Sequence, residues 1–387
     1  MGKRTLIKNG VLALNGQELR ADMEITGGII SRIDKVIEAA GDAEVFDASD
    51  HLVLPGFIEI HTHGGMGLDM NSVSVDDVKK LCAFYASHGV TGLLPTLLSD
   101  SRERLVGSLT VLAQAKEEVH TGAELLGIHL EGPFLAREYK GAMPEQCLQK
   151  PSLVEFQAYQ QAAGGNIRLI TVAPELEGAA EFIHAVSESG VRVSIGHSGA
   201  DYDTAWQAIR QGACSSTHTL NGMKLLHQHF PAIAGAVMES DIYAEVICDG
   251  RHLHPGTVRI LLKGKGWNRI IAVTDSISAA GLGDGSYKLG INDIVVQDGD
   301  AMLADGSSRA GSTLTSDQAF RNLLCYTKEP PAKVSQLFSE NPAAMLGIGT
   351  HKGSLTVGKD ADLVLLTADY RVAATFIHGE QRYGSRR

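Results

Sequence analysis

From about residue 52 the chain alternates apolar runs with helical stretches, and this rhythm constrains the fold more than any other feature. Candidate strands are Leu52–Ile60, Gly92–Thr96, Leu125–Leu130, Ile167–Val172, Val191–Ile195, Ser215–Thr217, Tyr243–Ile247 and Ile270–Val273. Helical patterns lie between most of them, for example Val75–His88, Arg102–Val119 and Ala179–Ser189. Buried-type strands joined by crossover helices suit a parallel sheet covered by those helices. Eight of them predict an α/β fold closed into a (β/α)8 barrel. An open doubly wound sheet is the alternative, but no Gly-x-Gly-x-x-Gly follows the first strand.

The two ends read differently. Thr5–Ile7, Val11–Leu14, Met23–Ile25 and Ile29–Ile33 are short apolar runs separated by Asn9-Gly10, Asn15-Gly16 and Gly27-Gly28. Asn-Gly and Gly-Gly are hairpin signals because they reach positive φ cheaply. After the eighth strand, Tyr287–Leu303 reads as a β excursion, followed by helices Ser316–Thr327 and Ala332–Met345. The tail returns to short strands at Gly353–Leu366 and Ala373–Gly379. We therefore expect residues 1–52 and 353–387 to pair into a small β-sandwich, with the barrel spanning 53–352.

Composition removes several functions. With 44% hydrophobic and 20% charged residues, the 387-residue chain has ample material for a core. A net charge of −11 argues against nucleic acid or an anionic membrane as partner. No stretch of 18 apolar residues is present, and Lys8 and Asn9 interrupt any signal-like apolar run at the start. Five cysteines (Cys82, Cys147, Cys214, Cys248 and Cys325) form no Cys-x-x-Cys pair, which predicts reduced thiols in a cytoplasmic protein.

Catalytic residues of such a barrel sit where strands end. The strand ends here carry His61-Thr62-His63, Glu131-Gly132-Pro133, Gly196-His197-Ser198, His218, Asp249-Gly250-Arg251-His252 and Thr274-Asp275. With 15 histidines in the chain, chance gives about 0.6 His-x-His pairs, so one alone says little. There are three: His61/His63, His227/His229 and His252/His254. Position adds the weight, because His61, His63, Glu131, His197, His218 and Asp275 all fall on one predicted rim. Imidazole and carboxylate donors suit Zn²⁺, Fe²⁺, Mn²⁺ or Co²⁺ and do not choose among them, and zinc is the ion expected. Such an ion polarises a carbonyl and makes water a nucleophile near neutral pH. Asp275 would take the water's proton and pass it to a leaving amine. His88, His120, His184, His351 and His378 lie in helices, loops or the tail and read as structural or solvent-facing.

These residues resemble the amidohydrolase superfamily. The resemblance rests on Leu54-Pro55-Gly56-Phe57-Ile58-Glu59-Ile60-His61-Thr62-His63, on Thr274-Asp275, and on Gly358-Lys359-Asp360-Ala361-Asp362-Leu363-Val364. Within it the chain is similar to the N-acetylglucosamine-6-phosphate deacetylase family, through His129-Leu130-Glu131-Gly132-Pro133-Phe134, Lys140-Gly141-Ala142, Gly196-His197-Ser198, Asn221-Gly222-Met223, Asp249-Gly250-x-His252 and Ala310-Gly311-Ser312-Thr313-Leu314. The resemblance implies a distorted barrel with a β-sandwich and metal-dependent removal of acetyl from an N-acetyl amino sugar 6-phosphate, of the glucosamine or galactosamine series. It implies Glu131, His197 and His218 as ligands of a principal metal, and His61 and His63 as those of a second site, so one or two ions. Asp275 would be the general base and acid. Asn221 and Gly222 would donate to the phosphate, and His252 would contact the sugar. A homodimer with shared sites is also implied.

Three positions depart from the family's pattern. Met143 stands where a histidine usually follows Lys-Gly-Ala, His229 where an arginine reaches from the neighbouring subunit to the phosphate, and Arg309 where an apolar residue precedes Ala-Gly-Ser. Met143, His229 and Leu314 join the expected substrate contacts. Arg309 and Lys224 are the cations at hand to replace the missing arginine, and the plainer reading leaves both as solvated surface charges. The departures keep open an amidohydrolase for a different N-acyl or cyclic amide substrate, or a catalytically silent barrel.

Overall fold

A computed structural model describes residues 4–39, 41 and 43–385, so the outermost residues of the expected terminal unit fall outside the described residues. Eight parallel strands form the barrel: β1 (Phe57–Thr62), β2 (Val90–Leu98), β3 (Ile128–Glu131), β4 (Ile167–Val172), β5 (Arg192–Ile195), β6 (Ala213–Ser216), β7 (Tyr243–Ile247) and β8 (Ile270–Val273). Each pairs with the next in chain order. Most of their residues are buried, as strands covered on both faces must be.

Closure between β8 and β1 is made just beyond the strand ends. Asp275 N–H donates to His61 O at 2.9 Å, and His63 N–H donates to Ser276 O at 2.7 Å. At the opposite end the strands are held apart by the segment Leu337–Phe338. Its carbonyls accept from Ala272 N–H (3.0 Å) and Ile58 N–H (2.7 Å). This wedge explains why the predicted helix Ala332–Met345 is two short ones, Pro331–Ser335 and Glu340–Leu346. Carbonyls given to the barrel edge are unavailable to a continuous helix.

The first predicted barrel strand, Leu52–Ile60, also divides. Leu52–Pro55 pairs antiparallel with Leu363–Leu366 and parallel with Arg4–Leu14, while Phe57 onward enters the barrel. Gly56 is the joint, and a Cβ there would stand 2.2 Å from the Thr91 side chain. Leu125–Leu130 breaks likewise into Glu124–Leu125 and β3, at Gly127 with φ 158°. Strands from both chain ends share one eight-stranded sheet. Alternation sends Val53, Leu363 and Leu365 into a core of their own with Ile7, Met23 and Phe376, whereas Leu54, Val364 and Leu366 join the barrel core. Asn9-Gly10 is a bulge within the single strand Arg4–Leu14 rather than a hairpin. Asn9 sits at φ 62° and the register shifts between Ile7 and Gly10. Asn15-Gly16 and Gly27-Gly28 are tight turns, with all four residues at positive φ.

The excursion after β8 is a three-stranded antiparallel sheet, Gly285–Leu289, Asn292–Gln297 and Asp300–Leu303. It packs Leu289, Ile294 and Val296 against Leu98, Leu135 and Met143, beside the C-terminal rim.

The tail is fastened to the barrel by charge. Lys352 is buried, and its ammonium lies 2.7 Å from Asp362, 2.7 Å from Glu124 and 3.0 Å from Asp360. Burial opposes ionisation of Glu124, but the hydrogen bond from His378 and the Lys352 charge bring its pKa from 4.5 down to about 2. Substituting Lys352→Met leaves three carboxylates without their cation and should cost about 3–5 kcal/mol near pH 7, read from denaturant midpoints. A folded-state pKa below the unfolded one gives stability that is present above pH 4.5 and lost as pH falls towards 2. The deficit of the variant should therefore shrink through that window. A variant as stable as the parent, or a deficit that grows with acid, contradicts this reading.

Candidate metal centre

Each of the six side chains expected on the rim arrives where a barrel strand stops. His61 lies in β1 and His63 one residue past its end, two apart and on the same side. Glu131 closes β3, and His197, His218 and Asp275 each lie two residues beyond β5, β6 and β8. All six are buried. His197, His218 and Asp275 have φ of 47°, 27° and 50°. Left-handed backbone is uncommon for residues with a Cβ and costs on the order of 1 kcal/mol or more each, so its recurrence at three ligand positions marks a place where side-chain direction outweighs local comfort.

The six form two groups that meet at Glu131. In the first, Glu131 Oε1 lies 3.0 Å from both His197 Nε2 and His218 Nε2, and those two nitrogens are 3.0 Å apart. In the second, His63 Nε2 is 3.2 Å and His61 Nε2 3.6 Å from Asp275 Oδ1. Glu131 reaches this group too, with Oε2 at 3.1 Å from His63 Nε2 and Oε1 at 3.4 Å from His61 Nε2.

The other ring nitrogens determine what these contacts mean. His197 Nδ1 donates to Tyr139 O (2.8 Å), His218 Nδ1 to Asn221 O (3.1 Å) and His63 Nδ1 to Thr96 O (3.2 Å). His61 Nδ1 donates to the Glu245 carboxylate (2.9 Å). Every Nδ1 thus faces an oxygen acceptor, which turns the four Nε2 atoms inward towards the two carboxylates. Among the described residues His61 Nε2 is buried with no hydrogen-bond partner. One proton can sit between only one pair of the three atoms in the first group, whereas a cation at their centre satisfies all three. Tetrahedral ligands at 2.0–2.1 Å from Zn²⁺ stand about 3.3 Å apart, close to the observed triangle. The residues present fit a divalent metal, held by Glu131, His197 and His218, with His61, His63 and Asp275 offering a second set.

The same demand for positive charge appears in the titration of these groups. Burial disfavours charge on His61 and His63, yet the Glu131 and Asp275 carboxylates override it, raising His61 and lifting His63 to about 9. Burial opposes ionisation of Asp275, but the His61 charge and a hydrogen bond from His63 bring it to about 2. Glu131 is likewise held below the usual carboxylate range against burial, chiefly by His61, His197 and His218.

Three further residues support the ligands and were not anticipated. Glu245 on β7 accepts from both His61 Nδ1 and His218 N–H (3.1 Å). Glu59 on β1 accepts from His61 N–H (3.0 Å) and Thr274 N–H (3.1 Å), and burial lifts its pKa to about 7. His129 on β3 spans Ile60 O (3.1 Å) and Thr171 Oγ1 (2.9 Å), and burial together with the nearby His61 charge keeps it neutral. Their signal was present: each is an ionisable residue inside an otherwise apolar barrel strand, which a barrel interior tolerates only when it is paired.

A cavity of about 210 Å³ opens over the cluster, lined by the polar residues Asn221, Gly222, His252, Ser308 and Arg309 and the apolar residues Leu98, Met143 and Leu289. His252 is held by Asp249, Nδ1 to Oδ2 at 2.7 Å. The Asn221 amide is already committed to His218 O (3.1 Å) and Thr219 O (3.5 Å). Leu314, an expected substrate contact, packs in the barrel core instead. His229, at the position expected to act on a neighbouring subunit's site, sits with His227 on an exposed loop. The third His-x-His pair is divided, because His254 caps the helix Pro255–Lys265. Lys224 and Arg309 are both exposed as expected, and Arg309 also lines the cavity.

Residues 52–382 match the amidohydrolase family. The chain is similar to an N-acetylglucosamine-6-phosphate deacetylase of Bacillus subtilis (strain 168), with 35% identity over 340 residues that cover 87% of this chain and 86% of that one. It is 32% identical over 359 residues to an N-acetylgalactosamine-6-phosphate deacetylase of Escherichia coli O157:H7, covering 92% and 93%. It also superposes on a solved N-acetyl-D-glucosamine-6-phosphate deacetylase mutant from Mycobacterium smegmatis, in complex with N-acetyl-D-glucosamine-6-phosphate. The TM-score is 0.91 at 31% identity, over 98% of this chain and 100% of that one.

Replacing Glu245 by Gln keeps the shape of the support but substitutes an amide for the acceptor shared by two ligands. Divalent-metal affinity, titrated against a chromophoric chelator, should fall about 10- to 100-fold. An affinity equal to that of the parent would show that the imidazoles need no such orientation.

Proposed function

The chain belongs to the amidohydrolase family, and from that premise we propose that it hydrolyses the acetamide of an N-acetyl amino sugar 6-phosphate, releasing acetate and the amino sugar phosphate. The observation that carries the proposal is the convergence of six candidate ligand side chains, five of which line one cavity. The full-length similarity to deacetylases of two epimeric sugar phosphates supports this substrate class. A silent barrel is disfavoured because every ligand position is filled.

A divalent metal, when bound, polarises the acyl carbonyl and lowers the pKa of water. Zinc suits the donor set best, with iron, manganese or cobalt as close competitors. The chain's own groups supply the remainder. Asp275, ionised at neutral pH and beside both metal groups, accepts a proton from the attacking water and delivers it to the departing nitrogen. His252, fixed by Asp249, presents its free Nε2 to the sugar. Leu98, Met143 and Leu289 exclude water beside the reacting carbonyl.

A homodimer in the cytoplasm completes the proposal. Three large apolar side chains are exposed on one loop, Leu225 at 59%, Leu226 at 57% and Phe230 at 70%, and a second copy would cover them. All five cysteines are free, in keeping with a reducing compartment. No helix among the described residues is long and apolar enough to cross a membrane.

Acetate release from N-acetylglucosamine-6-phosphate and its galactosamine epimer decides the matter. Release should stop on chelation and return with added metal. Asp275→Asn should lower kcat by about 10²- to 10⁴-fold. Failure of the metal-loaded protein on both epimers would remove the deacetylase reading.

A further inference from the structure

We infer that Arg309 is the phosphate-recognising residue of this site, a step that rests on the sugar-phosphate reading above. Among the described residues lining the cavity, Arg309 is the one lysine or arginine. It follows the last strand of the excursion sheet and turns its guanidinium onto Asp300 through two contacts, Nε to Oδ1 at 3.0 Å and Nη2 to Oδ2 at 3.0 Å. A guanidinium carries five N–H groups. The pair with Asp300 uses two, so both N–H of Nη1 and one of Nη2 remain free. The carboxylate holds the plane of the fork while its other edge stays open for a second oxyanion, the geometry in which arginine binds phosphate.

Substrate shape places the phosphate near that edge. The acyl group must reach the buried cluster, where His61 is fully enclosed. On a pyranose ring C2 lies opposite C5, so a C6 phosphate points away from the C2 acetamide and towards the cavity mouth. Arg309 lines the cavity with 42% of its side chain exposed, as a group on the solvent side would be. The other donors along that side are weaker candidates. The Asn221 amide is committed to backbone carbonyls, Gly222 offers a neutral N–H, and His252 has one ring nitrogen left beside its bond to Asp249, against three N–H left on Arg309. Arg309 therefore carries the fixed positive charge that separates a phosphorylated from an unphosphorylated sugar.

The test compares metal-loaded wild type, Arg309→Met and Arg309→Lys. Turnover is measured on N-acetylglucosamine-6-phosphate and on N-acetylglucosamine, and binding of glucosamine-6-phosphate is measured by calorimetry. For Arg309→Met, the ratio of kcat/KM between phosphorylated and plain sugar should fall about 10- to 100-fold, mostly through KM. Affinity for glucosamine-6-phosphate should fall in parallel. Arg309→Lys should recover part of both, because it keeps the charge without the fork. An unchanged ratio with unchanged product affinity overturns the inference, as does an equal loss on both sugars, which would mark a structural role. If wild type releases no acetate from any phosphorylated sugar, the deacetylase reading falls. The calorimetric comparison still judges Arg309, and glucosamine-6-phosphate binding that ignores the substitution overturns its role separately.

Discussion

Four imidazole Nε2 lone pairs and two carboxylates face one another across gaps of 3.0–3.6 Å in a buried setting. Such an arrangement repels itself unless positive charge lies within it. Every Nδ1 is bonded to an oxygen, so the rings cannot escape by rotating or changing tautomer without leaving a buried N–H unpaired. The rest of the structure is organised around meeting this demand for a cation.

The scaffold pays in backbone conformation and recovers the cost through burial. Three of the six candidate ligands occupy left-handed backbone, and the contacts that close the barrel, Asp275 to His61 and His63 to Ser276, run through these same residues. Closure and ligand placement are thus one event. Leu337–Phe338 holds β8 and β1 apart at the far end while they approach at the rim. The terminal sheet fixes where β1 begins, through Leu52–Pro55 and the joint at Gly56.

Much of this was legible before any coordinates. The alternation of apolar strands and helices announced the barrel, and polar residues at strand ends announced the rim, because both follow from local pattern. The missed features depend on contacts distant in sequence. Nothing near Ala332–Met345 reveals that its middle carbonyls serve β1 and β8. Asn9-Gly10 carries a hairpin's composition, yet it forms a bulge because Gly10 packs against Val53, 43 residues away. His227-x-His229 has the same spacing as His61-x-His63, but it lies on an exposed loop rather than a barrel strand, so spacing alone could not separate them. Arg309 is exposed, as expected, but its place beside the cavity is created by the excursion sheet and has no local signal. Glu59, His129 and Glu245 were the reverse case, visible as ionisable residues in apolar strands but passed over.

The most direct test of the central claim is anomalous X-ray scattering from crystals of the metal-loaded protein, collected on both sides of the absorption edge. A peak within about 2.0–2.2 Å of Glu131 Oε, His197 Nε2 and His218 Nε2 is the predicted result. A protein that takes up no metal there, with the two imidazoles turned away from the carboxylate, would contradict it.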